Sequence, residues 1–167
     1  EIPEDLSFGR VDISASTGSV DFYAAARETV RIKTSTGKLG VENTSVGALD
    51  LSVTTGKVTV SGVTCAGAIT VDVSTGEVYL ADIACENVIS SGSTGEITLR
   101  NVIAAEKFSI ERSTGNVKFD GSDAAEIFVR TDTGNVTGSL LTDKVFITQT
   151  DTGDVDVPKT VTGGSCE

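Results

Sequence analysis

The chain has 167 residues, a net charge of −11 and 38% hydrophobic residues, with no histidine, tryptophan or methionine. This excess of carboxylates argues against nucleic acid or an anionic membrane surface as a partner, because both attract clustered lysine and arginine. No apolar run approaches the roughly 20 residues that a transmembrane helix needs, so we expect no membrane-spanning segment in this piece.

Residues 1–10, EIPEDLSFGR, precede the first repeat and are expected to form an N-terminal cap or lead-in. They contain neither an initiating methionine nor a signal-peptide pattern. We therefore expect the sequence to be a processed or excised piece of a longer chain, with any anchoring segment elsewhere in that chain.

A Thr-Gly pair then recurs every 19 or 20 residues through residues 11–157. Eight copies at this spacing predict one continuous repeat array. We number the coils of this array 1 to 8 by their glycines. The pairs are Thr17 and Gly18, Thr36 and Gly37, Thr55 and Gly56, Thr75 and Gly76, Thr94 and Gly95, Thr114 and Gly115, Thr133 and Gly134, and Thr152 and Gly153.

Alignment on the glycine produces four apolar columns, at seven and five residues before it and at two and four residues after it. Apolar residues fill 29 of these 32 positions. The period of two on each side of the glycine is the signature of a strand. The column two residues after the glycine reads Val20, Leu39, Val58, Val78, Ile97, Val117, Val136 and Val155.

These columns predict an all-β fold, a single-stranded parallel β-solenoid of about eight right-handed coils, each with 19–20 residues. Each coil is expected to contain two strands of about five residues, the Thr-Gly corner and a return segment. Stacking pairs each strand with its own copy and joins the columns into one core. Residues 1–167 would form a single domain, with 158–167 starting a truncated further coil.

The Thr-Gly pair is interpreted as a structural corner. Glycine supplies a positive φ that a Cβ would penalise. The preceding Ser, Thr or Asp side chains could accept hydrogen bonds from turn amides. We assign these residues to folding rather than to binding.

The recurring STGxV, with TDTGNV and QTDTGDVDV, resembles the bacterial β-strand-repeat domain of unknown function that is labelled an adhesin. The resemblance covers about residues 11–157. It implies a parallel β-solenoid on the extracytoplasmic side of the cell envelope, without a catalytic residue to transfer.

We expect no enzymatic activity and no cofactor, because histidine, the commonest general base and metal ligand, is absent. Asp132 and Asp151 would stack one coil apart at the corner, which makes them weak candidates for Ca²⁺. The simpler interpretation is a pair of exposed turn formers. A flat ice-binding face would need two outward threonine columns, whereas only one threonine column is invariant.

The cysteines do not predict a disulfide framework. Cys65 and Cys85 occupy one column, where they are interpreted as small buried apolar residues, although a disulfide between adjacent coils is conceivable. Cys166 lies in the tail and is expected to be free.

The column six residues before the glycine should point outward. It reads Asp12, Arg31 and Asp50 in coils 1–3, where alternating charges would pair across strands. In coils 5, 7 and 8 it reads Ile89, Phe128 and Ile147, which predicts a partner-binding face unless other segments cover it.

These patterns favour a non-catalytic solenoid at the cell surface or in the envelope, acting in adhesion, presentation or binding of a protein or glycan. An envelope-stress or signalling module that binds a protein or peptide is the alternative, and a polysaccharide-active β-helix enzyme is a more distant one. An open solenoid end also suggests end-to-end self-association, with Leu6 and Phe8 covering the N-terminal end.

Overall fold

A computed structural model describes residues 7–142 and 146–156. These residues form eleven strands and no helix. The strands are β1 (Ser7–Phe8), β2 (Val11–Phe22), β3 (Ala25–Glu42), β4 (Ser45–Cys65), β5 (Ala68–Thr94), β6 (Ile97–Thr114), β7 (Val117–Ser122), β8 (Glu126–Thr133), β9 (Val136–Leu140), β10 (Phe146–Thr152) and β11 (Val155–Asp156).

All the strand pairs are parallel, and each strand lies beside its copy in the next coil. Gly37 of β3 is in register with Gly18 of β2 and with Gly56 of β4. The sheet runs from β1 through β3, β4, β5, β6, β7 and β9 to β11, while β2 pairs with β3 and β8 pairs with β6 and β10. The predicted parallel β-solenoid of about eight coils is confirmed.

The strand before the corner forms the first face of each coil, and the strand after the corner forms the second. In coil 4 these are residues 69–73 and 78–80, whose alternate side chains Ile69, Val71, Val78 and Leu80 are buried. The same alternation in neighbouring coils places one continuous aliphatic core inside the solenoid. Val155 of coil 8, which the sequence placed in an inward column, is an exception, since it is 39% exposed.

The return segment forms a third face, which the sequence analysis did not predict. Residues 63 and 64 pair in parallel with 83 and 84, and 83–85 pair with 102–104. Two further inward columns lie here, one with Val63, Ile83 and Val102 and one with the smaller Cys65, Cys85 and Ala104. Small or polar residues in several coils, such as Thr44 and Ser122, had hidden this alternation.

A second corner joins the second and third faces six residues after each corner glycine in coils 2–6. These positions all have positive φ, between 49° and 62°, and hold Asn43, Gly62, Asp82, Asn101 and Gly121. Asparagine, aspartate and glycine tolerate this conformation best. The five consecutive residues of these types in coils 2–6 were the sequence signal for this corner, and Ala24 and Leu140 stand at the same position in coils 1 and 7.

The backbones of successive Thr-Gly corners lie so close together that glycine is required for space as well as for positive φ. Gly76 has φ of 144°, and a Cβ placed on it would overlap the carbonyl oxygen of Gly56 in the coil below. Gly18, in coil 1, has φ of 111° and no atom within reach of such a Cβ. The glycine column therefore allows the corner backbones to stack closely, in addition to supplying positive φ.

Hydrogen bonds at this corner come from positions other than those predicted. Asn135 and Asp154 donate backbone N–H groups to the Oδ1 atoms of Asn116 and Asn135, at 2.9 Å each. Thr131 donates its hydroxyl to the carbonyl oxygen of Gly115 at 3.2 Å. Within the described residues, the Ser, Thr or Asp two positions before each glycine makes no side-chain hydrogen bond to a turn amide.

The predicted further coil at 158–167, Cys166 and Leu6 all lie outside the described residues. At the N-terminal end, β1 pairs with β3 through Ser7 with Ala25 and Phe8 with Ala26. Phe8 is half-buried and packs against the core.

Candidate functional site

The outer column, six residues before each corner glycine, runs along the outside of the first face. In the early coils it carries charges in register, with Asp12 beside Arg31 and Arg31 beside Asp50. Arg31 Nε donates to Asp50 Oδ2 at 2.7 Å, and this hydrogen bond raises the pKa of Arg31. This part of the column is a solvated ion-pair surface.

From coil 5 onward the outer column becomes more apolar. Ile89, Ser109 and Phe128 are in register on successive coils. Ile89 is 43% exposed, while Phe128 is half-buried. Ile147 continues the column through its backbone pairing with Phe128, and its side chain lies outside the described part of the chain. The structure thus brings the candidate partner-binding residues onto one line.

Polar groups lie directly behind the apolar part of this column. Ser90, next to Ile89, is buried in a column that holds aliphatic residues in coils 2–4. Arg112, three residues before the glycine of coil 6, is only 3% exposed. Arg112 Nη1 donates to the carbonyl oxygen of Val73 at 2.8 Å, and Nη2 donates to Ser90 Oγ at 3.4 Å. The guanidinium therefore reaches across two coils.

Gly92 makes this insertion possible. It lies in coil 5 in the column that also contains Arg112, and a Cβ at Gly92 would overlap Arg112 Nη1. The same column carries the buried Thr34, Val53 and Val73 in coils 2–4. Coil 5 has no side chain at this position, and the guanidinium of Arg112 from coil 6 occupies the space that a side chain would fill.

The charge of Arg112 is poorly compensated. In the described ranges 7–142 and 146–156, no carboxylate lies within ion-pair distance of it, and its Nε has no hydrogen-bond partner. Burial lowers the pKa of Arg112 to about 10, and the more distant Asp72 opposes this shift. Burying a charge without a counter-charge costs free energy of folding.

An open cavity of about 370 Å³ lies against this arginine. Its lining combines hydroxyl groups with charges of both signs: Ser91, Gly92, Ser93, Glu111, Arg112, Ser113, Arg130 and Asp132. The lining residues lie on the first face of coils 5–7, two to four residues before the corner glycines. The cavity adjoins the apolar outer column, because Ser91 lies two residues after Ile89, and Arg130 lies two residues after Phe128.

Sequence reasoning missed this buried cluster. Ser90 was visible as a break in an apolar column, but the column three residues before the glycine mixes polar and apolar residues and so gives no clear signal of burial. Its succession of Val73, Gly92 and Arg112 was the available signal, since a glycine followed one coil later by a long side chain suggests that one fills the space of the other.

The weak calcium candidates lie on adjacent coils at the corner. Thr131 pairs with Thr150, and Thr133 with Thr152, so Asp132 and Asp151 are neighbours along the column. Asp132 forms an ion pair with Arg130 at 3.7 Å. Among the described residues, no group of three or more His, Cys, Asp or Glu side chains is placed to hold a metal ion.

Cys65 and Cys85 are both buried free thiols on the third face. The Cys65 thiol lies 3.7 Å from the carbonyl oxygen of Gly47 and 3.6 Å from that of Ala68. Burial, with a smaller contribution from Cys65, raises the pKa of Cys85 to about 12. Thiols in such surroundings are poor nucleophiles.

Two exposed apolar side chains had not been assigned to a face by the sequence. Ile103 is 38% exposed on the outer side of the third face, and Leu141 is 59% exposed beyond β9. Ile103 lies between the buried Val102 and Ala104, so the period-two alternation of the unrecognised third face would have identified it.

The described chain is thus a parallel β-solenoid with one apolar outer column and one buried arginine beside a cavity. A family model described as Toastrack DUF4097 matches residues 66–167, which is 102 of the 167 residues. The chain therefore belongs to the Toastrack DUF4097 family, a domain of unknown function.

Searches among curated proteins and among solved structures gave no significant match. In the described part of the chain, no helical segment has the length and hydropathy needed to cross a bilayer.

Proposed function

We propose that this chain is a non-catalytic β-solenoid, displayed at the cell surface or in the envelope, which binds a protein partner through the outer column of coils 5–7. The observation that carries the proposal is the register of Ile89, Ser109 and Phe128 on one face, with Ile89 43% exposed. Exposed apolar side chains aligned on a rigid surface are typical of contact sites.

The early coils support the specificity of this assignment. The same column there carries Asp12, Arg31 and Asp50, so the exchange of charged for apolar residues is confined to one region. Apolar side chains in the centre of a contact, surrounded by polar residues, are typical of protein–protein interfaces. The adhesive role and the extracytoplasmic location rest on the sequence resemblance.

A binding screen against extracellular-matrix proteins and glycans, with matched variants, tests the proposal. Ile89→Lys should weaken binding to a protein ligand by about tenfold or more, because it places a charge in the apolar column. Thr70→Lys, in coil 4 of the same column, should leave binding within about twofold. Equal losses in the two variants, binding to glycans alone, or no binding to any member of the panel would contradict the proposal.

The location has its own test. Protease treatment of intact cells that produce the full-length protein should remove this domain, while a cytoplasmic marker stays intact. Survival of the domain in intact cells, followed by its loss after lysis, would place it inside the cell.

A further inference from the structure

An open cavity lies at the second corner of coils 1–3, away from the apolar outer column. Its volume is about 550 Å³, within the range of small-molecule sites. Tyr23 of coil 1, Asn43 and Ser45 of coil 2, and Gly62 and Thr64 of coil 3 contribute to its lining. Tyr23 is half-buried and the other four residues are exposed, so a ligand can reach them from solvent.

The corner of coil 3 has no side chain, and this forms the recess. In coils 4 and 5 the same corner holds Asp82 and Asn101, and Asn101 Nδ2 donates to Asp82 Oδ1 at 2.8 Å. In coils 2 and 3 it holds Asn43 and Gly62, so the Asn43 amide has no such neighbour. A Cβ on Gly62 would lie only 2.6 Å from Asn43 Oδ1, which shows that the amide extends over the glycine.

The polar groups around this recess are not used by the protein. In the part of the chain that the structure describes, the side chains of Asn43, Ser45 and Thr64 form no hydrogen bond. Thr44, by contrast, is buried and donates its hydroxyl to the carbonyl oxygen of Ala24 at 2.6 Å. One amide and two hydroxyl groups therefore line the cavity with donors and acceptors available to a ligand.

We propose that this cavity binds one neutral hexose unit of a glycan. The ring of Tyr23 supplies an apolar surface on which the C–H face of a pyranose can pack. Sugar hydroxyls both donate and accept hydrogen bonds, as do the amide of Asn43 and the hydroxyls of Ser45 and Thr64. The site goes beyond the protein contact proposed above, because it lies on other coils and takes another class of ligand.

The charges of the molecule favour a neutral sugar. None of the residues that line the cavity carries a charged side chain, whereas the chain has a net charge of −11. An anionic sugar would be repelled by the overall charge and would meet no cation in the lining. A cationic amino sugar would meet no carboxylate there. A neutral hexose is subject to neither disadvantage.

The same lining is less suited to a protein segment. The residues that dominate protein contacts are mainly large aromatic side chains and arginine, which fill well-packed pockets. This recess is open and combines one aromatic ring with small polar groups. Among its lining residues, Ala25 alone has a purely aliphatic side chain.

The test uses the full 167-residue chain and the methyl glycosides of glucose, galactose, mannose and N-acetylglucosamine. Titrations followed by saturation-transfer NMR measure the Kd of each sugar. At least one glycoside should bind saturably, and at least about threefold tighter than galacturonate. No saturable binding by any of the four, or tighter binding of galacturonate, would overturn the proposal. Tighter binding of the neutral peptide acetyl-Ala-Ser-amide than of every glycoside would assign the cavity to a protein segment instead.

A substitution at the corner glycine places the sugar in this recess. Gly62→Asn should keep the fold, because Asn43 and Asn101 adopt the same positive φ, while its side chain fills the recess and abolishes saturable binding. Gly121→Asn, the same change in coil 6, should leave the Kd within about twofold of the wild type. Equal binding by the two variants would overturn the site.

Two further variants test the lining groups. Asn43→Gly retains the positive φ and removes the amide, and should weaken binding by about fivefold. Tyr23→Leu removes the ring and should weaken binding by a similar factor. Asn101→Gly and Tyr79→Leu, which change the same residue types away from the cavity, should stay within about twofold. No loss in either cavity variant, or equal losses in the controls, would count against these contacts and overturn the site.

Failure of the sugar site and failure of the proposed function give different results. If no glycoside binds while Ile89→Lys weakens binding of a protein ligand, the outer column stands as a contact site and the sugar site is wrong. If a glycoside binds and Gly62→Asn abolishes its binding, while Ile89→Lys has no effect on a protein ligand, the sugar site stands and the outer-column contact is wrong.

Discussion

Coils 1–3 and coil 5 differ at two adjacent positions, six and five residues before the corner glycine. Coils 1–3 carry a charged residue and then an aliphatic one, whereas coil 5 carries an aliphatic residue and then a polar one. In coil 2, Arg31 faces solvent and Ile32 is buried, whereas in coil 5 Ile89 faces solvent and Ser90 is buried. In both regions this column is paired residue for residue, Asp12 with Arg31 and Arg31 with Asp50 in the early coils, and Ile89 with Ser109 in coils 5 and 6. The difference therefore comes from side chains alone, on one unchanged scaffold.

This comparison separates two kinds of information in a repeat sequence. The positions that all or nearly all coils keep, namely the glycine corner and the inward aliphatic residues, specify the solenoid. The positions where one region differs from another specify what that region contacts. A regular scaffold makes such differences easy to locate, because every coil serves as a control for its neighbours.

The largest expected effect concerns the core that both regions share. Val78→Asp should lower the free energy of unfolding by about 4 kcal/mol, because an unpaired carboxylate would replace a side chain that is 2% exposed between stacked aliphatic residues. Denaturant titration measures the loss. The control is Thr59→Asp on the outer side of the second face, which should change stability by less than about 1 kcal/mol. Similar losses in both variants would contradict the inward and outward assignment.

The next effect compares the corner of coil 1 with that of coil 4. Gly76→Ala should cost about 3 kcal/mol, because it combines backbone strain at positive φ with overlap on the Gly56 carbonyl oxygen. Gly18→Ala should cost only about 1 kcal/mol, since no atom lies near the added Cβ. Denaturant midpoints of the two variants check this order. Equal costs would mean that φ alone, and not close stacking, requires the glycine.

The sequence was sufficient to predict the features that repeat. The eight Thr-Gly pairs and the inward columns predicted parallel stacking, because identical side chains at a fixed spacing can only share a core if the coils are in register. Ile89 and Phe128 lie on one line through Ser109, in the register that alignment on the glycine gives, while their role in partner binding stays a prediction.

The features that the sequence did not predict depend on contacts between unlike positions. The third face was missed because small residues such as Cys65 and Ala104 carry little hydrophobic signal. The buried arginine was missed because Arg112 reaches Val73, two coils away, and a search by columns compares each position only with its own copies.

A smaller effect, on the third face, compares Cys85 in coil 4 with Ala104 in coil 5. The folded-state pKa of Cys85 is raised to about 12 from 9.0, so the folded state keeps a proton that the unfolded state releases above pH 9. Its contribution to stability is therefore fully present below pH 9 and is lost as pH rises toward 12. The loss is at most about 1.4 kcal/mol per pH unit.

The variant Cys85→Ala isolates this contribution from other groups that titrate in the same range. Ala104 shows that the column accepts alanine. Between pH 8.5 and 10.5 the free energy of unfolding should fall by about 2 kcal/mol more in the wild type than in Cys85→Ala. Parallel pH profiles would show that the thiol titrates normally, and hence that it is less buried than the structure indicates.

The smallest effect tests the comparison between the early coils and coil 5 most directly. It comes from a double variant that makes the interior of coils 5 and 6 resemble that of the early coils. Ser90→Val with Arg112→Met replaces the buried hydroxyl and guanidinium by apolar groups and removes the desolvation cost of the charge. The carbonyl oxygen of Val73 loses a donor, which limits the gain. We expect the double variant to be more stable than the wild type by about 1 kcal/mol.

Arg112→Met alone is the control, and it should be less stable than the double variant, because Ser90 Oγ would remain buried without its partner. Denaturant titration at pH 7 compares the three proteins. A loss of more than about 2 kcal/mol in the double variant would contradict this expectation and show that Arg112 stabilises the solenoid.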